Sequence, residues 1–368
     1  MSSDTNDGRS NRSWGSKMAL ACLSFLLTLA ALEAGFRWRA HIQNGMALDE
    51  AIRTAPEITP GSEVPMRAFL QLCANERIVY ELRPDVSARF LGQPFTINAA
   101  GLRGPSHPVE KPAGTSRIVG IGDSYLYGWG LPDGQDCLSQ LVALLGRNFP
   151  SQRWEGINTG VPGYTTVQEI ETLAAKGLAY DPDIVLLAMV SNDLRLPKFL
   201  DESDPFDFGR SFLLQALAGA DEDTGPGPDK IDAFFLPSDE ISQGEDHGRS
   251  ARWEAFTAGL DRLKAMAQRD DFEVVVAYLT PRPRKWKADA LKLCADMGFH
   301  VVDVGVTYQA YAQERGVTDI ADAGLTIGAD DPHPSALANA IAAREILTLL
   351  EGAGALKPGQ PASHTSDR

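Results

Sequence analysis

From Arg117 to Glu351 the chain alternates between two kinds of hydrophobic pattern. Short, largely apolar runs occur at 117–122, 183–190, 273–279 and 301–304, with a weaker, mixed one at 154–158. Runs of this length, bounded by Gly, Asp or Asn, predict buried strands. Between them, apolar residues recur at three- and four-residue steps. Leu138 to Leu145 has helical character, and Trp253, Phe256, Leu260 and Leu263 share one helical face. Thr166-x-x-Glu169 reads as a capping box before Ile170, Leu173 and Leu178. A last helix is predicted from Ser335 to Glu351, with Ala338, Ala342, Ile346 and Leu349 aligned. Apolar strands alternating with amphipathic helices predict an α/β fold, a parallel sheet covered on both faces in three α/β/α layers. Sites in such sheets form at the carboxyl ends of the strands.

The flanks read differently. Residues 1–17 are polar and carry Arg9, Arg12 and Lys17; Met18 to Leu32 is nearly all apolar, and Glu33 interrupts before Gly35 and Phe36. The uninterrupted run is shorter than the roughly 20 residues that cross a bilayer, and counting on to Phe36 reaches a marginal span. A secretory signal has a comparable apolar region, but no small-x-small cleavage site follows Leu32. The expectation is a cytoplasmic leader (1–17), an uncleaved membrane anchor (18–36) and a main domain outside the membrane, periplasmic in a bacterium. Residues 40–110 read as an irregular extension, with strand candidates at 78–82 and 95–98. The main domain is expected over 115–352, interrupted by an acidic, Gly- and Pro-containing insertion at 196–250. That insertion reads as a solvated surface segment, or as a lid with Phe212–Leu217 as its apolar face. A disordered tail is expected over 353–368.

Composition narrows the choice of partner. The formal net charge is -15, and such a chain repels phosphate backbones, so no nucleic-acid partner is expected. There is no phosphate-binding Gly-x-x-x-x-Gly-Lys-Ser/Thr loop and no Gly-x-Gly-x-x-Gly run after a strand. The four cysteines, Cys22, Cys73, Cys137 and Cys294, are widely spaced and form no zinc pattern. With Cys22 in the apolar run, at most one bridge can form among the others.

The candidate chemistry sits at strand ends. Gly122-Asp123-Ser124 follows the first strand of the alternation, where glycine permits a tight turn. Leu126 stands where a Gly-x-Ser-x-Gly elbow needs its second glycine. A serine nucleophile needs a base. Of the six histidines, His333 stands out, in Asp330-Asp331-Pro332-His333-Pro334 just before the last helix. Pro334 keeps it extended, and Asp330, three residues earlier, can turn its carboxylate onto the ring as in a Ser-His-Asp triad. Asn158-Thr-Gly-Val-Pro-Gly163 offers a glycine amide, from Gly160 or Gly163, and Ser191-Asn192-Asp193 a side-chain amide, as donors to an oxyanion.

Taken in order, Gly122-Asp123-Ser124, Gly163, Asn192-Asp193 and Asp330-x-x-His333 resemble the four sequence blocks of the SGNH hydrolases, also called GDSL esterases and lipases. Ile97-Asn98 and Gly101-Leu102-Arg103-Gly104 also resemble membrane-anchored bacterial members. The resemblance covers about residues 98–351. It implies a flavodoxin-like sheet of about five strands, a catalytic triad of Ser124, Asp330 and His333, and an oxyanion hole of the Ser124 amide, Gly163 and Asn192. Gly163 is preferred to Gly160 because Gly163-Tyr164-Thr165 matches the family's Gly-x-Thr context. Tyr125 replaces the leucine of the name motif. Val190-Ser191 precedes Asn192 where the family usually has Gly-x, which bears on that loop's geometry. The implied activity is hydrolysis of a small-molecule or glycan carboxylic ester, such as an acetyl ester of an envelope glycan, without cofactor or metal. The same triad also serves an acyltransferase that O-acetylates a glycan, and an inactive carbohydrate-binding module is the third reading.

Overall fold

The computed structural model describes residues 10–194, 211, 213–214, 248–280 and 285–356. The leader's first nine residues, most of the expected insertion and the tail from Lys357 lie outside the described residues. Helix α1 (Ser10–Arg53) is followed by two hairpins, β1 (Leu70–Leu72) with β2 (Tyr80–Leu82) and β3 (Val86–Phe90) with β4 (Gln93–Ile97). Then come β5 (Thr115–Gly122), the single turn α2 (Ser124–Tyr127), α3 (Cys137–Asn148), β6 (Arg153–Asn158), α4 (Thr166–Ala175) and β7 (Ile184–Met189). After the insertion follow α5 (Gly248–Asp270), β8 (Glu273–Tyr278), α6 (Lys287–Asp296), β9 (His300–Asp303), α7 (Val304–Glu314) and α8 (Ala336–Ala353).

Strands β5 to β9 form a parallel sheet in the order β6-β5-β7-β8-β9. Renumbered from its first strand this is 2-1-3-4-5, the flavodoxin-like order, in which the chain reverses direction across the sheet between β5 and β7. The central strands β7 and β8 look almost uniformly apolar because both faces are buried, whereas the edge strands β6 and β9 are mixed. Ile184, Leu186 and Ala188 of β7 belong to one core with α3, α7 and α8, while Val185, Leu187 and Met189 belong to the other with α4, α5 and α6. This is the period of two of a strand with two interiors. Each of these side chains other than Ala188 contributes about 1.5–3 kcal/mol on burial.

The hairpins form a third cluster. Phe69, Phe90 and Phe95 pack on Tyr127, Trp129, Val161 and Tyr164 of the sheet's loops. The extension therefore rests on the segments that follow β5 and β6. Buried Arg117 ties another loop down. Its guanidinium pairs with Glu155 at 2.9 Å and donates to the carbonyls of Pro108, Val109 and Tyr180.

Several expectations change. The irregular reading from residue 40 is wrong at its start, because α1 continues unbroken to Arg53. The strand expected over 78–82 begins only at Tyr80, because Val79 takes a left-handed backbone (φ 69°). Val304 starts a helix and does not end a strand. Helix α4 caps one residue earlier than the capping-box reading: Thr165 is the N-cap, and its N–H donates to Gln168 Oε1. Thr166 and Glu169 consequently turn inward and are buried. All four cysteines are free.

Candidate active site

Strand register sets the site. Gly120 of β5 aligns with Asn158 of β6, and Gly122 with Ala188 of β7. The carboxyl ends of three strands thus lie level, and the loops bearing Ser124, Gly163 and Asn192 leave from them at the switch point. A side chain at Gly122 would bring its Cβ within 2.7 Å of Leu126 Cβ and 3.0 Å of Ala188 Cβ. Only glycine lets the chain turn there against β7. Asp123 caps α2 by accepting from the Tyr125 N–H at 2.9 Å, which presents Ser124 as the first residue of the turn.

Ser124 Oγ lies 2.9 Å from His333 Nε2. The other ring nitrogen, Nδ1, lies 2.6 Å from Asp331 Oδ1, which also accepts the His333 backbone N–H at 3.0 Å. An ionised carboxylate only accepts, so Nδ1 carries the proton and Nε2 is left to accept from the serine. Burial alone would raise the Asp331 pKa. The hydrogen bonds from His333, with a further one from Trp129 Nε1 at 3.2 Å, outweigh it and hold the carboxyl below its ordinary range.

The ring's acidic partner is therefore Asp331, not Asp330. The physical reason is local. With Pro332 between them, an aspartate two residues before the histidine can close onto both its backbone and its ring, and Asp331 does so. Asp330 is exposed. Sequence reasoning also missed the aromatic pair enclosing the imidazole. Trp129 stacks on it at 5.0 Å with planes 21° apart, and Tyr125 sits at 5.3 Å and donates its hydroxyl to the Pro332 carbonyl. The signal available was the glycine-flanked Gly128-Trp129-Gly130 directly after the serine turn.

Of the two glycines, Gly160 is occupied. Its N–H donates to Asn158 Oδ1, and an added Cβ would fall 2.7 Å from the Tyr127 nitrogen. Gly163 is half-buried with φ 81°, a left-handed conformation suited to glycine. Asn192 reaches this loop, its Nδ2 lying 3.4 Å from the carbonyl of Tyr164. The same Nδ2 donates to Asp123 Oδ2 at 3.1 Å. The loop after β7 is held by Asp193, which accepts from the Val190 N–H and, at 3.0 Å, from Thr166 Oγ1.

Buried acids lie behind the serine. Asp123 is pushed up to about 6 by burial, against hydrogen bonds from Tyr125, Asn192 and Ser124 and the nearby His333. Glu169 and Asp193 are raised well above the carboxylate range, chiefly by burial and then by neighbouring carboxylates. Both Glu169 oxygens are without a hydrogen-bond partner. Among the described residues, no group of three or more His, Cys, Asp or Glu side chains could hold a metal ion.

A family model described as GDSL-like lipase/acylhydrolase matches residues 121–341. The comparison with curated proteins finds no match. Among solved structures, the chain is similar to LAE5, an alpha/beta hydrolase enzyme from the metagenome of Lake Arreo, Spain. Identity is 17%, covering 66% of this chain and 96% of that one, with a TM-score of 0.40. It is also similar to TesA, at 15% identity over 64% of this chain and 99% of that one (TM-score 0.39). A third is Axe2, an acetylxylan esterase from Geobacillus stearothermophilus, at 14% identity over 64% and 94% (TM-score 0.38).

Proposed function

The chain belongs to the GDSL-like lipase/acylhydrolase family and is an ester-hydrolysing enzyme; from this we propose that it acts as a serine esterase through an acyl-enzyme on Ser124. The observation that carries the reading is the continuous chain of contacts Ser124 Oγ to His333 Nε2 (2.9 Å) and Nδ1 to Asp331 Oδ1 (2.6 Å). His333 takes the serine proton as Oγ attacks the ester carbonyl, and Asp331 stabilises the imidazolium. The Ser124 and Gly163 amides receive the developing oxyanion, joined by Asn192 Nδ2 as it gives up its long 3.4 Å contact to the Tyr164 carbonyl. His333 returns the proton to the departing alcohol, and water then releases the acid.

The acyl group in this reading is short. Ser124 is only 1% exposed and His333 fully buried, with Tyr125 and Trp129 packed against the imidazole. Acetyl esters of an envelope glycan suit a domain tethered at a membrane. The support for tethering is α1, whose Trp14–Trp38 stretch of 25 residues is long and apolar enough to cross a bilayer, a test that signal sequences also pass. Its length of about 38 Å exceeds a hydrocarbon core of about 30 Å. Glu33 near its end is paired with Arg37 at 2.8 Å.

A fluorophosphonate probe tests the nucleophile. Ser124 is labelled, and Ser124→Ala loses both labelling and hydrolysis of p-nitrophenyl acetate; an active Ser124→Ala variant refutes the reading. Across p-nitrophenyl esters, kcat/KM falls from acetyl to octanoyl. Product analysis with an acceptor sugar present separates hydrolysis from acyl transfer. Retention of the chain in the membrane fraction after alkaline carbonate extraction tests the anchor.

A further inference from the structure

We propose that Trp129 is a positioning residue for the His333–Asp331 pair and that the β3–β4 hairpin holds it in place through Phe90. The proposal rests on the triad reading above. The turn that presents Ser124 also delivers the tryptophan. Gly128 closes α2 in a left-handed conformation (φ 81°), and the Trp129 N–H donates to the Ser124 carbonyl at 3.1 Å. The indole is thereby folded back beside the serine, 3% exposed, flat against the imidazole. Its Nε1–H reaches Asp331 Oδ2. One side chain thus touches both partners of the pair, in two different ways.

The two contacts have separate consequences. An indole face stacked on the ring favours the imidazolium that forms during attack, because the π-face is negative. The N–H bond fixes Oδ2, so that Oδ1 stays on Nδ1 and the carboxylate cannot rotate away. Trp129 is itself held from behind. The Phe90 ring meets it edge-on at 4.5 Å and 80°. Next to it, Gly130 (φ 65°) packs so closely that an added Cβ would fall 2.7 Å from Ile327 Cδ1. Ile327 in turn donates its N–H to the His333 carbonyl at 2.9 Å. The extension at 64–97 is therefore part of the catalytic unit, reaching the base through one aromatic contact.

The test uses the full chain in detergent. Trp129→Phe keeps an aromatic ring and removes the N–H. It is expected to lower kcat for p-nitrophenyl acetate by about ten- to a hundredfold, with KM within about twofold of wild type. The low-field proton signal of His333 Nδ1–H, assigned by its loss in His333→Gln, is expected to shift and broaden. A tryptophan that only filled space would lower the melting temperature and leave kcat and that signal unchanged well below it, and this outcome overturns the proposal. Phe90→Leu leaves Trp129 in place and withdraws its buttress; it must also lower kcat and broaden the signal, and it decides the matter if Trp129→Phe does not fold. If Ser124→Ala remains active, the esterase reading fails, while the proton signal still reports whether Trp129 holds the pair.

Discussion

Two adjacent aspartates precede the histidine, and exchanging each for asparagine separates their roles. In Asp331→Asn the new amide has two settings. With its oxygen kept on the His333 N–H and ring, the NH2 faces the Trp129 Nε1–H across a 3.2 Å contact built for an acceptor. With the amide turned over, NH2 faces Nδ1 and forces the proton onto Nε2, which can then no longer accept from Ser124. Both settings remove the negative charge that stabilises the imidazolium. Loss of the acid in such a triad lowers kcat by roughly 10⁴-fold, or about 5 kcal/mol of barrier. Asp330 is exposed, so Asp330→Asn is expected to keep kcat/KM within about twofold, as surface changes usually do.

The assay is kcat/KM for p-nitrophenyl acetate between pH 5 and 9, with circular dichroism to verify folding. The pH range is informative in itself. Because the Asp331 carboxyl is held below its ordinary range, it stays ionised throughout the assay. Its stabilising contribution to the fold is present above the unfolded carboxyl's pKa and lost only as pH falls through the lower folded one. A large loss in Asp330→Asn, or near-normal activity in Asp331→Asn, refutes the assignment of Asp331.

Other variants probe the rest of the site and its supports. Asn192→Ala removes one oxyanion donor and should cost about 2.7–4 kcal/mol in kcat with KM little changed; an unaltered kcat excludes the side chain from that role. Glu169 has its pKa raised by burial, so its contribution to stability is full below the unfolded value of 4.5 and is lost as pH rises through the folded one. Glu169→Gln, a neutral near-isostere, should therefore raise the melting temperature more at pH 8 than at pH 4, and equal shifts at both would contradict a buried neutral acid. Arg117→Met leaves Glu155 paired with the exposed Arg153 at 2.7 Å but takes away its buried partner and the donor to three loop carbonyls, and should destabilise by about 1–3 kcal/mol in urea unfolding. The double variant Arg117→Met/Glu155→Leu should recover part of this, and no recovery would mean that the carbonyls Arg117 serves, not its charge pair, carry the cost.

The legibility of this chain follows the range over which each feature is determined. The central sheet strands were readable because burial on both faces leaves a local mark: β7 is apolar at every position, whichever core its side chains enter. Ser124 and His333 were readable because each ends or begins an element that has its own signal, a strand closing on Gly122 and a helix opening after Pro334. Val79 was not, since nothing in its apolar neighbours announces a left-handed residue. The inward turn of Glu169 was hidden by a one-residue ambiguity between Thr165 and Thr166 as cap. Asp330 and Asp331 are chemically identical and adjacent, so spacing alone cannot choose between them. The choice is made by contacts that sequence order does not record, among them an indole N–H 202 positions away. The glycine-flanked Gly128-Trp129-Gly130 marked Trp129 as a turn residue, but its partners were hidden for the same reason. Its importance lies in what it touches on both sides, Phe90 from a hairpin before the sheet and His333 from the loop before the last helix. A motif therefore locates the atoms that react, while the groups that hold them in register emerge only once the extension and the last loop are seen packed on either side of one turn.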